Sequence, residues 1–560
     1  MRIKTRKYNH LLLIACWLLV IILSRHFFIR IDLTEDKRYS ISEQSKTLMR
    51  NLTSSPEIAV YLDGDLNAGF LRLKRSTLDL INELAVYASG NITPVLINPS
   101  VAGSNAEREE QYARLEERGL TPTAVYERDK EGKSIRKIIF PWIEITYNGK
   151  TEAVRLLKNL QGLSGEENLN ISIENLEFEI TDAIERLSSR EVRKIAFIEG
   201  HGELSEQETY DISLLLSRYF QIDRGVIGHD AAVLDDYKMV IVARPVEAFS
   251  ETEKFILDQY IMNGGKVLWL LDAVQIAPDR LSQSGASPAV ELDVNLKDLF
   301  FRYGVRINPV LVQDVQCTHV PVNIAPADEE PHFEPVPWFY YPLLLTASQH
   351  PVTRNIAEVR GEYCSALELV GRHEHLQAEY LLATSDNSHI VGTPAVIDLS
   401  QTPRTDDTDY FHLSYIPVAV ALEGIFPSNF TNRIPPKEII NPKPFKSESQ
   451  PTRQVFIADG DIIRNGVTAD NQIIPVGYDR YTNRQFGNKD FIRNVVLYLA
   501  DSEGRINLRS RTVKLRLLNS KLIENDRLKW QLINLTLPLA LLAVGGLSYR
   551  LIRKRKYTKV

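Results

Sequence analysis

Residues 194–204 read KIAFIEGHGEL. A short apolar run, Ile195 to Ile198, ends at Glu199 and is followed by Gly200-His201-Gly202-Glu203. Two glycines this close make a tight turn, so the stretch reads as a buried strand feeding a helix. The next segment, SEQETYDISLLLSRYF, is amphipathic, with Ser205 at the N-cap and Glu208 three residues on, a capping-box pattern. YKMVIVARP then reads as a strand, SETEKFILDQYIMNGG as a helix and KVLWLLD as a strand. Ser250 and Glu253 repeat the capping-box pattern, and Gly264-Gly265 stop the helix. A helix over 295–303 and a strand over 309–314 follow. Apolar strands alternating with helices predict an α/β domain built on an open parallel sheet covered on both faces.

Working outward, this domain is expected over 191–504. Its character changes after His319, where proline becomes dense and short strands run to about 421. The segment 427–451, PSNFTNRIPPKEIINPKPFKSESQP, reads as a mobile loop. RQVFIADGD then restores a buried-type strand and KDFIRNVVLYLAD a helix. Both are expected to rejoin the parallel sheet, which makes about 321–451 a β-rich insertion.

A first α/β domain is expected over 30–190. Ser42 caps a short helix through Leu52. EIAVYLDG is a strand, and GFLRLKRSTLDLINELAVYASG a helix with Phe70, Leu73, Leu80, Leu84 and Tyr87 on one face. NITPVLINP is a strand and AEREEQYARLEERG a charged helix. Strands over 135–147 and 152–157 are joined at Asn148-Gly149, a hairpin signal, and a helix over 171–187 closes the unit. The order suits a thioredoxin-like sheet, although no cysteine lies in this region to support dithiol chemistry.

Two apolar segments flank these domains. Near the end, 530–549 reads WQLINLTLPLALLAVGGLSY, uncharged and long enough as a helix to cross a bilayer core of about 30 Å. The tail over 550–560, RLIRKRKYTKV, is basic without an acid and is expected to stay in the cytoplasm. At the start, residues 1–10 are basic and 11–29 are apolar. LSRHFF offers no small-residue cleavage site, and the run before Cys16 is too short for a lipoprotein signal. An uncleaved helix is therefore expected. Both termini then lie in the cytoplasm, a connector over 505–529 leads to the second span, and the bulk lies outside.

The net charge is −6, and no basic patch interleaved with aromatics appears outside the tails, so nucleic acid is not an expected partner. The three cysteines, Cys16, Cys317 and Cys364, have no metal-ligand or CxxC spacing. A P-loop, a G-x-S-x-G elbow and an HExxH motif are all missing from the sequence. No metal, no cofactor and no catalytic residue is expected.

Ligands in open parallel sheets bind beyond the carboxyl ends of the strands. Here those ends carry Glu199, His201 and Glu203, then Asp272, then Asp459 and Asp461. Together they would form an acidic rim with one histidine, able to bind a cation or to act as a general acid/base pair. The alternative is structural: Glu203 and His201 cap a helix, and Asp459 and Asp461 hold turns. The aromatic run Trp338-Phe339-Tyr340-Tyr341 is either a partner surface or a core strand.

The segments FIRIDLTEDKRYSIS, VYLDGDLNAGFLRL, FIEGHGEL, WFYYPLL with HPVTRNI, and LKWQLINLTLPLALL together resemble the GldG family, the gliding motility-associated ABC transporter proteins of Bacteroidota. The resemblance runs nearly end to end. It implies an inner-membrane substrate-binding or auxiliary subunit acting with an ABC permease and an ATP-binding subunit. It also implies a periplasmic amidotransferase-like domain, here without the cysteine nucleophile that such a fold uses in enzymes. The expectation is a non-enzymatic subunit. The alternatives are a membrane-tethered periplasmic hydrolase using His201 with Glu199, Glu203 or Asp459, or a protein-binding scaffold of a secretion or motility machine.

Overall fold

A computed structural model describes residues 41–501, apart from 102–103, 129–133, 161–162, 190–191, 324, 326–329, 331, 372–374, 400–403 and 469, and also residues 520–557. The first expected span lies outside the described residues. The chain divides into two compact units, one ending at Arg511 and one beginning at Thr512.

Among the described residues, the first unit opens with α1 (Glu43–Asn51), whose N-cap Ser42 accepts a hydrogen bond from the Ser45 N–H. The sheet that follows has β1 (Glu57–Val60) at its centre. Parallel to it runs β2 (Val95–Leu96); on its other side lies β5 (Trp142–Tyr147), antiparallel to β1, and beyond it β6 (Lys150–Arg155), antiparallel to β5. The order β2-β1-β5-β6, with α2 (Ala68–Ala85) and α3 (Asn105–Glu117) in the first two crossovers, is the thioredoxin-like arrangement. The Asn148-Gly149 turn has positive φ at both residues, +49° and +78°, as a two-residue hairpin loop requires. The expected strand over 135–147 is in fact two strands. β4 (Ser134–Ile139) pairs with β3 (Thr123–Arg128) in a separate hairpin, and the chain turns at Phe140-Pro141 before β5. The closing helix α4 (Gly165–Ser188) begins earlier than its apolar face alone indicates, because Ser164 and Glu167 form a capping box. α2 and α4 pack together so closely that a Cβ on Gly69 would lie 2.5 Å from Leu169 Cδ1.

The larger sheet has β7 (Lys194–Glu199) as its founding strand. β8 (Gln221–Val226) lies on one side of it. β9 (Tyr237–Ala243), β10 (Val267–Leu270) and β15 (Thr452–Ile457) follow in turn on the other, all parallel. α6 (Glu251–Met262) carries the expected capping box from Ser250 and Glu253. Ser205 and Glu208 also form theirs, but on a turn, and the helix α5 (Tyr210–Leu216) starts two residues past Glu208, with Thr209 at its N-cap. As expected, β15 rejoins the parallel strands, and α8 (Asn488–Ala500) packs against them.

The insertion alters the expectation of a purely parallel sheet. β14 (Pro417–Gly424) pairs antiparallel with β15, and β13 (Leu376–Ala383), β12 (Phe333–Thr346) and β11 (Cys317–Asn323) continue outward, all antiparallel. These strands cover the edge that β15 would otherwise leave unpaired. The helix expected over 295–303 is α7 (Lys297–Tyr303). The strand at Val310–Asp314 does not join this sheet; it pairs with Ser388–Gly392.

The segment 427–451 is also more fixed than its composition predicts. It has no regular element, yet Ser428, Asn429 and Phe430 are buried. Asp258 of α6 holds it by accepting hydrogen bonds from Ser428 Oγ at 2.6 Å and the Asn429 N–H at 2.8 Å. Tyr303 OH and Gln259 Nε2 donate to the same carboxylate. Proline-rich chain thus becomes a strap whose first residues are pinned by one buried acid, with further hydrogen bonds from Ile440 to His229 and from Lys446 to Gln259 along its length.

The second unit contains α9 (Ser520–Tyr557), with Pro538 inside it. Residues Asp526–Arg555 of this helix are long and apolar enough to cross a membrane. Leu535, Leu537, Leu539, Leu541 and Leu542 are exposed, as a lipid-facing surface would be.

Candidate functional site

The structure divides the expected acidic rim into three separate groups. The first is Glu199, at the end of β7. It is ion-paired at 2.7 Å with Arg224 of the edge strand β8, and Arg224 also donates to Leu204 O and Thr209 Oγ1. This pair fastens a turn at the sheet edge.

The second group is the His201 turn. Gly200 and Gly202 have φ of +113° and +70°, which glycine adopts without strain. Strands leave β7 in opposite directions to β8 and β9, so this is the topological switch point, where open α/β sheets leave a crevice. Here the crevice is closed. His201 O accepts hydrogen bonds from the Val246 and Glu247 N–H groups of the loop after β9. A Cβ on Gly202 would lie 2.4 Å from Val246 Cγ2. The His201 ring is 3% exposed and stacks on Phe249 at 3.6 Å between centroids. Its Nδ1 lies 3.0 Å from Glu203 Oε1 and its Nε2 3.2 Å from Glu253 Oε2. Burial opposes the imidazolium, but the two carboxylates outweigh it and hold the pKa above its ordinary value.

The third group is a buried charge cluster at the carboxyl ends of β10 and β15. Asp272 Oδ1 accepts from the Gly460 N–H at 2.6 Å. Asp459 Oδ2 accepts from the Glu362 N–H at 2.8 Å and from Cys364 Sγ at 3.3 Å, and its Oδ1 accepts from the Asp461 N–H. Asp461 lies 3.1 Å from both Arg244 Nη1 and Arg464 Nε. Arg464 and Arg360 in turn pair with Glu362.

Burial, and then repulsion from Asp461, pushes Asp272 up to about 7. Burial, with Asp272 and Asp461 nearby, raises Asp459 well above the carboxylate range. Burial pushes Glu362 upward too, but Arg360 and Arg464 more than offset this and hold it low. Asp459 therefore holds a turn through the Asp461 N–H, whereas the Asp461 carboxylate pairs with Arg244 and Arg464; both belong to a network that crosses the sheet end. Among the described residues, no three histidine, cysteine or acidic groups are arranged to hold a metal ion.

Sequence reasoning missed Arg244, Glu362, Arg464 and Glu253 as members of these groups. Arg244 directly follows β9 and Arg464 is three residues past Asp461, so both had a local signal. Glu362 is 97 residues from its partner Asp459 and had none.

The aromatic run does not present a surface. Trp338, Phe339 and Tyr340 are buried and Tyr341 is half-buried. Trp338 and Tyr340 belong to one small core with Tyr363, while Phe339 packs on Phe411. Alternation along β12 sends these side chains to opposite faces of the sheet, and both faces are covered.

Comparison with known proteins gives the chain a family. Residues 192–495, more than half of it, match the model of an ABC-type uncharacterized transport system. The chain belongs to this transport-system family. Membership makes it an accessory protein of ABC transport and implies association with ABC transporter components. Together with the apolar helix α9, it points to membrane association. Residues 35–146 match a domain of unknown function, which overlaps the thioredoxin-like unit. An uncharacterized protein of Borreliella burgdorferi is 21% identical over 540 residues, covering 94% of each chain. A solved structure described as the mmIFT52 N-terminal domain is 14% identical, with a TM-score of 0.32, and covers 55% of this chain and 98% of that one.

Proposed function

We propose that this protein is a membrane-anchored, extracytoplasmic, non-enzymatic subunit of an ABC transport complex. In this reading it crosses the inner membrane twice, near residues 11–29 and 530–549, with both termini in the cytoplasm. The two α/β regions lie in the periplasm and bind a solute or a client, or relay motion from an ATP-binding subunit through a permease. The family match over 192–495 is the observation that carries the reading. The GldG-like segments extend it to a gliding-motility type of complex in Bacteroidota.

The His201 turn supports a non-enzymatic role. Both ring nitrogens are engaged by carboxylates and the ring is stacked and enclosed, so it has no free nitrogen to offer a substrate. The exposed apolar face of α9, followed by Arg550, Arg553, Lys554 and Arg555, supports a span whose tail faces the cytoplasm. A reporter active only in the periplasm, fused after Val560, is expected to be silent; activity there overturns the two-span topology.

A further inference from the structure

At the carboxyl end of β10, beside the charge cluster, is a hollow of about 360 Å³. Its walls are mainly apolar, from Leu292, Leu296, Phe300, Val305 and Ile307, and Phe301 stands 55% exposed among its lining residues. An apolar hollow of this size at the end of a parallel sheet, with a few convergent polar groups, has the character of a small-molecule pocket.

The charged lining residues are mostly committed elsewhere. Lys297 pairs with Glu291, Asp298 with Lys254 at 2.8 Å, and Arg306 with Glu368 at 2.9 Å. Asp272 is different. Its Oδ1 is taken by the Gly460 N–H, but among the described residues its Oδ2 has no hydrogen bond, with Arg244 Nε at 3.4 Å as its ion-pair contact. This oxygen is not among the buried unsatisfied atoms, so it can accept a donor from a molecule seated in the hollow, which would replace its contact with water.

We propose that this pocket binds a small, predominantly apolar molecule bearing a single hydrogen-bond donor, its body against Leu292, Phe300 and Val305 and its donor on Asp272 Oδ2. This goes beyond the transport-complex reading and does not depend on it, since binding needs no partner subunit. The ligand class follows from the lining. A strongly polar solute would lose its hydration against these walls, and a donor-free hydrocarbon would leave the carboxylate oxygen unmet.

The test is fluorine NMR of the full-length chain in detergent micelles. Two probes are compared, 4-(trifluoromethyl)benzyl alcohol, which is neutral and carries a single O–H donor, and its donor-free analogue 4-(trifluoromethyl)toluene. Wild type is expected to bind the alcohol at least about tenfold more tightly than the analogue, a gap of about 1.4 kcal/mol. Leu292→Trp, which fills the hollow, is expected to weaken both probes at least about tenfold. Should that variant fail to fold, Ala273→Leu fills the same space and is read in the same way. Asp272→Asn is expected to keep the analogue's affinity and to shrink the gap between the probes. Failure of wild type to bind either probe overturns the inference. So does unchanged binding in the filled variants, or an undiminished gap in Asp272→Asn.

Discussion

The backbone N–H of Gly460 donates a 2.6 Å hydrogen bond to Asp272 Oδ1, tying together the carboxyl ends of two neighbouring parallel strands. The bond holds a carboxyl group whose pKa has been pushed up to about 7, chiefly by burial and then by Asp461. An unfolded aspartate titrates near about 3.9. Between these values the folded chain holds more protons than the unfolded one, so stability falls as pH rises through this window and levels off above about 7. Asp272→Asn is expected to flatten that fall, by at most about 1.4 kcal/mol per pH unit. Urea denaturation across the window measures it, and an unchanged slope contradicts the assignment.

His201 works in the same sense, for a different reason. Its pKa is raised in the folded state by Glu203 and Glu253 against the cost of burial. The ion pairs therefore contribute fully below the ordinary histidine range and are lost as pH rises through the raised value. His201→Gln is expected to lower stability at mildly acidic pH and to lose less than wild type on going alkaline. A double-mutant cycle with Glu253→Gln should give a coupling of about 0.5–3 kcal/mol. A coupling near zero means the 3.2 Å contact is incidental.

Gly460 itself cannot carry a side chain. A Cβ there would stand 2.7 Å from both Arg244 Cβ and Cγ, and 3.1 Å from its Cα. Arg244 is already in a left-handed conformation, φ +56°, and has little freedom to retreat. Gly460→Ala is expected to cost about 1–3 kcal/mol by overpacking. Gly225→Ala, where nothing lies within 4 Å, is the matched control on thermal denaturation. Equal effects at the two sites contradict the close approach.

The first residues of the strap over 427–451 depend on Asp258. Removing its carboxylate leaves the buried donors Ser428 Oγ, the Asn429 N–H and Tyr303 OH without their acceptor. Asp258→Ala is expected to cost about 3 kcal/mol or more. It should also open the strap to limited proteolysis before the rest of the chain unfolds. Wild-type-like cleavage in this segment contradicts the pinning.

Much of this architecture is legible in the residues. The Asn148-Gly149 hairpin, the Ser250–Glu253 capping box and the return of RQVFIADGD to the parallel strands follow from local chemistry and period, and each has its physical counterpart. What was not legible depends on contacts distant in sequence. Composition marks 427–451 as loose, but residues far away in sequence fix it, Asp258 some 170 positions before Ser428, and His229 and Gln259 further along. The acidic residues at the strand ends look like one rim from their positions alone. Arg224 draws Glu199 to the sheet edge, and Glu253 captures His201. Only Asp272, Asp459 and Asp461 stay together, through Gly460, Arg244 and Arg464. The Trp338–Tyr341 run reads equally well as surface or core, because strand alternation does not reveal that both faces of β12 are covered.

The central claim is assembly with an ABC transporter, and affinity purification tests it most directly. The full-length chain is recovered from native membranes in mild detergent, and the co-purifying proteins are identified by mass spectrometry. The account predicts a multi-span permease and a P-loop ATPase in reproducible ratio with this chain. Recovery of neither, under conditions that keep another ABC transporter intact, would contradict it.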